Sequence, residues 1–375
     1  MLRLALKILF GNRMKFYSLV AGLTFAVLLM VLLTSIYYGV LQSFFNTAYA
    51  SGVPIWVMDA STPNFDRPTN LPAHVLNAMR AVPGVLWAEP YYLTNATVKL
   101  SDGSRQVIQL VGVSTTSFAG LPQKFVTGNA SALRGDGGIA IDRNQLDLLK
   151  GASLGTLFEL NDRYFEIRAI LDIKPNLFSL PVCFISEKEF LSLFPGTRQT
   201  LSYVLVAPNG SVPPRQLCGE IMRRYPTLLA MTQEDFAEKT STWYQVNTNA
   251  PFMFLVVVLI GMAFSVIITA QQFYTFVLEN MTCIAVLKSM GYGNNSIVGM
   301  LLVQIFAVGF AAYGVSLGAV AVIGVFFGVL PRMFYYTPYQ ILIFSGMLVM
   351  VVCLISSQLG IYKMRSVEPA AVFRM

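Results

Sequence analysis

This sequence has almost no histidine: His74 is the only one in 375 residues. A Ser-His-Asp or Cys-His arrangement can therefore draw on one residue alone. His74 stands in Pro72-Ala73-His74, at the polar start of a predicted helix, where an exposed helix residue is the simpler reading. Cysteine is scarce as well, at Cys183, Cys218, Cys283 and Cys353, with no C-x-x-C spacing. A zinc site needs several such ligands close together, so no metal and no directly bound cofactor are expected. Cys183 and Cys218 share one polar stretch. A disulfide between them is open there, against two separately buried small thiols. The sequence also lacks a G-x-x-x-x-G-K-[ST] loop and a G-x-S-x-G elbow. Its carboxylate pairs, Glu187/Glu189 and Glu234/Asp235, read as solvated faces.

Charge is the other shortage. Only 12% of residues are charged, against about 25% in an ordinary soluble domain. The deficit is concentrated in long uncharged runs at both ends. Between Leu41 and Thr248 there are 17 Lys/Arg and 17 Asp/Glu, so the middle is neutral. The 9 basic and 2 acidic residues outside it carry the whole net charge of +7. They flank the apolar runs, as topology signals do, so nucleic acid is not an expected partner.

What is present is hydrophobic length. Crossing roughly 30 Å of hydrocarbon takes about 20 apolar residues in a helix. Four stretches meet this, at 16–40, 249–273, 297–330 and 339–362. The first is longer than the apolar core of a signal peptide and reads as an uncleaved anchor. Arg3, Lys7, Arg13 and Lys15 precede it, Lys288 lies between the second and third, and Lys363, Arg365 and Arg374 follow the fourth. Basic residues mark the inner side, so both termini and the 274–296 segment are expected in the cytoplasm. The region 41–248 and the 331–338 turn are expected outside, with Tyr335, Tyr336 and Tyr339 suited to an interfacial belt. Residues 1–15 carry Leu2, Leu6 and Leu9 near helical spacing and fit an amphipathic lead on the inner surface.

The fold class expected is an α-helical membrane protein of four spans, with a large extracytoplasmic α+β domain between the first and second. In that domain, Val98–Leu100 and Val107–Val113 around Asp102-Gly103 read as a hairpin with a type I′ turn. Phe158–Leu160 and Tyr164–Ile170 around Asn161-Asp162 read as a second hairpin. Leu71–Ala81, Arg143–Lys150, Glu187–Phe194, Pro214–Tyr225 and Gln233–Gln245 read as helices. A cluster of Gly and small polar residues over Ser114–Gly138 is a candidate boundary between two subdomains.

Two patterns in the spans invite functional readings. Gly314-x-x-x-Gly318 and Gly324-x-x-x-Gly328 have the spacing that lets helix backbones approach closely, within one subunit or across a dimer. Met281–Met290 reads as a short helix with Ile284, Leu287 and Met290 along one apolar face, and Gly291 and Gly293 free to reverse the chain. Such a ridge suits docking into another protein's groove or packing on its own spans.

Three segments then carry a resemblance. The opening Leu4-Ala5-Leu6-Lys7-Ile8-Leu9 with Asn12-Arg13 runs straight into a span. Glu279-Asn280-Met281-Thr282-Cys283-Ile284-Ala285-Val286-Leu287-Lys288-Ser289-Met290-Gly291 follows the second span, with Cys283 where an acid is common. Arg365-Ser366-Val367-Glu368-Pro369-Ala370-Ala371-Val372-Phe373-Arg374 closes the chain. Together with the layout, they resemble the FtsX-like permeases of bacterial ABC transporters, of the MacB-like and DevC-like kind. The resemblance implies an inner-membrane protein that is not itself an enzyme. It implies a homodimer coupled to an ABC ATPase pair that uses the ATP, and export by mechanotransmission. A membrane-fusion protein and an outer-membrane channel are further implied partners. Glu279, Ile284, Leu287, Lys288, Met290 and Gly291 are the implied ATPase-coupling residues, and Gly314, Gly318, Gly324 and Gly328 the packing or dimer residues. A membrane receptor without transport and a membrane enzyme with an external site remain the alternatives.

Overall fold

The computed structural model describes residues 2–11, 13–100, 102–174, 180–329 and 339–365. The 331–338 turn, with Tyr335 and Tyr336, and the closing motif from Ser366 to Arg374 lie outside the described residues. The chain divides into two units, one of helices from both ends and one spanning Val40–Pro251.

The helical unit is built from α1 (Leu2–Gly11), α2 (Arg13–Ser43), α8 (Ala250–Glu279), α9 (Met281–Ser289), α10 (Asn294–Val329) and α11 (Tyr339–Arg365). Four of these are long and apolar enough to cross a membrane, over Phe16–Ser43, Pro251–Glu279, Asn294–Phe326 and Tyr339–Gln358. With no hydrophobic force between helices in lipid, packing and polar ties must hold them together. The ties are hydroxyls and amides aimed at a neighbour's backbone. Ser265 donates to the Ala26 carbonyl at 2.8 Å, Ser316 to Thr24 at 2.9 Å and Ser356 to Val266 at 3.3 Å. Gln304 donates to the Ala5 carbonyl at 2.8 Å and so holds α1 on α10. Leu9 and Ala5 are buried in the same core as Leu23, Phe273, Ile305 and Val349.

The second unit is organised by one mixed sheet of order β12-β1-β11-β3-β4-β9-β6-β8-β5. Its strands are β1 (Ile55–Asp59), β3 (Val85–Lys99), β4 (Arg105–Val113), β5 (Phe125–Thr127), β6 (Gly138–Asp142), β8 (Arg163–Leu171), β9 (Val182–Ser186), β11 (Tyr203–Pro208) and β12 (Leu228–Thr232). β7 (Leu157–Leu160) pairs with β3 and β8, while β2 (Leu71–Pro72) and β10 (Thr200–Leu201) form a separate pair. Both faces are covered. In β1, Ile55 and Val57 face a core shared with α4 (His74–Arg80), α5 (Glu187–Leu193) and α6 (Pro214–Arg224). Trp56 and Met58 face an aromatic core with Phe65, Tyr91, Tyr203 and Phe236. Phe236 belongs to α7 (Gln233–Asn247), and Phe45 and Ala48 to the segment around α3 (Asn46–Ser51). The sheet continues across the Ser114–Gly138 stretch, since β4 pairs with β9 and β9 with β6.

Several local expectations change. Leu71–Ala81 begins with strand residues and is helical only from His74, because Leu71 pairs with Leu201. Arg143–Leu149 is a 3₁₀ helix, capped by the Asp142 carboxylate, which accepts from the Asn144 amide. The type I′ turn expected at Asp102-Gly103 is found instead at Asn161-Asp162, where no turn type was expected. Asn161 and Asp162 both have positive φ, at 48° and 59°, as a type I′ turn requires. At Asp102-Gly103 only Gly103 does, at 81°. There Gly103 N–H bonds to Leu100 C=O and Leu100 N–H to Ser104 C=O, a longer turn closed by a left-handed glycine.

Candidate functional site

The sequence directs attention first to the elbow after α8. That helix ends at Glu279, which is exposed, and the Asn280 side chain donates back to the Phe276 carbonyl at 2.8 Å. A new helix, α9, starts at Met281. It ends in paired reverse bonds: Tyr292 N–H reaches Leu287 C=O at 3.2 Å and Gly291 N–H reaches Lys288 C=O at 3.0 Å. This closure needs a left-handed residue at Gly291, whose φ is 88°. Ser296 N–H then bonds to Gly293 C=O as α10 begins.

The ridge read from the sequence is divided by this geometry. Ile284, Ala285 and Leu287 are buried in the helical unit's own core, whereas Met290 is 69% exposed. The reason is the helical period. At about 100° per residue, Met290 lies about 120° around from Ile284, and it is the cap rather than part of the helix. The outward face is instead Thr282, Val286, Ser289 and Met290, with Lys288 half-buried beside it. The i, i+4 spacing of Thr282 and Val286 could have given this face from the sequence, had burial of the neighbouring positions been known.

On α10, Gly314 and Gly318 are exposed, and a Cβ built on either would meet nothing within 4 Å. Among the described residues, neither glycine has a neighbour that its missing side chain admits. Gly324 and Gly328 lie further along the same helix. By contrast Gly309 packs on Cys353 Sγ, and Gly346 beneath the Tyr313 ring.

In the sheet unit, His74 is exposed at the first position of α4. Glu187 accepts from the Tyr92 hydroxyl at 3.1 Å. The Ser186 hydroxyl caps the helix by accepting from Glu189 N–H and donates to the Glu189 carboxylate, which also accepts from Gly137 N–H. Burial pushes both carboxyls up. Asp235 does the same capping service with Thr232 and pairs with Arg215 at 2.8 Å. Glu189 is thus buried rather than on the solvated face expected of it, and Glu187, Glu189 and Asp235 all accept hydrogen bonds within the fold. Cys183 and Cys218 are both free and buried in the same apolar core, one in β9 and one in α6. Among the described residues no group of three His, Cys, Asp or Glu side chains could hold a metal. A cavity of about 300 Å³ is walled by Trp87, Phe118, Phe125 and the Ser51–Val53 segment. The polar centre that sequence reading missed is Asp66, whose partners lie far along the chain.

Comparison with known proteins supplies the rest. The FtsX-like permease C-terminal family matches residues 255–369. The MacB-like periplasmic core domain matches residues 19–218. No curated protein matches the sequence. Among solved structures, the periplasmic region of MacB from Actinobacillus actinomycetemcomitans is 12% identical, covering 50% of this chain and 93% of its own, with a TM-score of 0.39. The extracellular domain of the ABC-type transporter YknZ from Gram-positive bacteria is 14% identical, covering 48% and 98%, with a TM-score of 0.35. With one family spanning the spans and elbow of the second half, and the other more than half of the residues, this chain belongs to the FtsX-like permeases with a MacB-like periplasmic domain, multi-pass membrane subunits of ABC-type transporters.

Proposed function

We propose that this permease works in export, that a separate ABC ATPase hydrolyses the ATP, and that it docks on the outward face of α9. The observation that carries this is the elbow itself. α9 is a short helix folded onto the helical core by Ile284 and Leu287, yet it leaves Thr282, Val286, Ser289 and Met290 uncovered. It is joined through α8 to α7, with only Thr248 and Asn249 between those two helices. A displacement of α9 therefore has a continuous path, one helix long, to the element that packs Phe236 and Ala237 into the sheet unit. Movement rather than cargo would cross the membrane. The uncharged spans support this, because ion pathways usually carry ionisable residues.

The basic flanks at Arg3, Lys7, Arg13, Lys15 and Lys288 support a cytoplasmic position for α9 and both termini, in the inner membrane of a bacterium. The open flank at Gly314 and Gly318 supports a homodimer closing over α10. A membrane-fusion protein and outer-membrane channel would complete an envelope-spanning pump.

The test is co-purification with a candidate ABC ATPase, such as one encoded beside this chain. Val286→Asp and Met290→Asp are expected to weaken ATPase binding at least tenfold while the permease still inserts and folds. Full binding by both variants would overturn the docking face.

A further inference from the structure

The sheet unit contains one carboxylate held between the strands and the helix that leaves for the second span. The loop 60–70, between β1 and β2, carries Asp66. Its carboxylate accepts from the Tyr244 hydroxyl at 2.6 Å and from the Gln109 side-chain amide at 3.0 Å. Tyr244 lies on α7 and Gln109 on β4, so Asp66 ties a helix to the sheet.

α7 grips the same loop at three more points. Lys239 donates to the Thr62 carbonyl at 2.6 Å, the Thr240 hydroxyl accepts from Phe65 N–H at 3.3 Å, and Arg67 lies 5.5 Å from the centre of the Trp243 ring. The segment after the first span is gathered into the same place. Phe44 stacks on Tyr244, with ring centres 4.5 Å apart and planes at 15°. The Ser241 hydroxyl reaches the Leu41 carbonyl at 3.5 Å, and Gln233 the Ala48 carbonyl at 3.0 Å. The ways into and out of this unit thus meet at one tyrosine, and that tyrosine is hydrogen-bonded to Asp66.

Beside this loop, the Tyr91 ring lies 6.5 Å from that of Phe65, the residue before Asp66. The Tyr91 hydroxyl is fully buried and has no hydrogen-bond partner among the described residues. Gln109 Oε1 and Asn64 Nδ2 are in the same condition. Burial, and after it the charge of Asp66, holds the Tyr91 phenol far above its ordinary pKa. The neighbouring Tyr203 is not idle, since its hydroxyl donates to the Phe65 carbonyl at 2.8 Å. A buried hydroxyl left without a partner is rare and calls for a reason. A second arrangement that uses it supplies one.

We propose that Asp66 is a two-position latch, bonded to Tyr244 in the arrangement seen here and to Tyr91 once α7 and Phe44 are drawn away from the sheet. Losing the Tyr244 bond is offset by satisfying an orphaned donor, so the two arrangements lie close in energy. Such a bistable contact converts a small displacement into a discrete change. Gln109 stays on the carboxylate in both positions and keeps it from being stranded. The latch rests on the proposed function for its driving force, because the pull on α7 would come from α8.

The test is a double-mutant cycle on the full-length chain in detergent micelles, read by thermal unfolding. Tyr91→Phe and Tyr244→Phe each remove one oxygen and keep the ring. Alone, Tyr91→Phe is expected to leave the midpoint unchanged or to raise it. In the Tyr244→Phe background it is expected to lower the midpoint by several degrees, since the carboxylate has then lost both tyrosines. Equal effects in the two backgrounds would overturn the latch. A second readout covers the case in which the double variant fails to fold. With 3-fluorotyrosine incorporated, the ¹⁹F signal of Tyr91 should move on Tyr244→Phe substitution alone, and an unmoved signal overturns the proposal. Neither readout needs an ATPase. A non-additive cycle beside a permease that binds no ATPase would keep the latch and sink the export reading. An additive cycle beside normal ATPase binding would do the reverse.

Discussion

Gly112 of β4 lies directly under Phe190 of α5, so close that a Cβ on the glycine would come within 2.8 Å of Phe190 Cβ. The contact sets how tightly α5 seats on the sheet. The atoms in the way are the root of an aromatic side chain, which cannot swing aside. Gly112→Ala is therefore expected to destabilise the sheet unit by about 1–3 kcal/mol, the usual range for overpacking. At this size it should lower the melting temperature by roughly 2–12 °C. Thermal unfolding followed by circular dichroism measures it, and an unchanged midpoint would show that α5 yields freely.

Asp142 gives the sheet unit a pH dependence of definite sign. Burial outweighs the bonds from Asn144 N–H and Ile173 N–H and raises this carboxyl to about 7. In the unfolded chain it titrates near about 3.9. Between those values the folded protein keeps a proton that the unfolded chain releases, so stability falls as pH rises from about 4 to about 7 and then levels off. Asp142→Asn keeps an acceptor for both amides and removes the titration. Its melting temperature should fall less over that window than that of the parent, measured side by side. Identical pH profiles would mean that Asp142 is charged throughout.

The cysteines make a chemical prediction. Burial holds both Cys183 and Cys218 thiols well above their ordinary range, Cys218 at about 12. A thiol kept protonated and covered reacts slowly. Native protein treated with maleimide should leave both unlabelled. Denatured without reductant, it should release four titratable thiols. Two would place a disulfide between Cys183 and Cys218.

Gly314 and Gly318 can be tested without disturbing the packing of the described residues, none of which would meet a Cβ at either position within 4 Å. Gly314→Leu and Gly318→Leu should leave insertion intact and, by helix propensity, the helix slightly firmer. Chemical cross-linking in membranes should lose the dimer band in both. Retention of the band would send the dimer contact to another face.

How much of this was readable in advance depends on the distance over which each feature is built. The spans rest on local composition, and the absence of charge from Phe16 to Tyr38 and from Pro251 to Phe273 was enough to find two of them. Turn chemistry is local as well. Yet the type I′ turn expected at Asp102-Gly103 stands at Asn161-Asp162, because β3 and β4 pair only as far as Lys99 and Arg105 while β7 and β8 pair as far as Leu160 and Arg163, which sets the two loop lengths. β1 and β11 went unread since they are buried on both faces, so neither alternates in polarity. The inward turn of Ile284 and Leu287 depended on helices elsewhere in the chain. Asp66 was invisible for the same reason: Gln109 is 43 residues away and Tyr244 178. A lone acid in a polar loop carries no mark of such company.

The place of β1 in the sheet bears on how the protein is made. It is the earliest strand to be synthesised, and its two neighbours, β11 and β12, are the last. Some 150 residues must emerge before β1 has either edge occupied, a separation that slows folding by delaying every rewarding contact. Until then Ile55–Asp59 is a greasy ribbon with both sides open, attractive to any other nascent chain. An assistant that shields newly delivered segments would find its most urgent client there, and a stalled translocation would leave that ribbon bare.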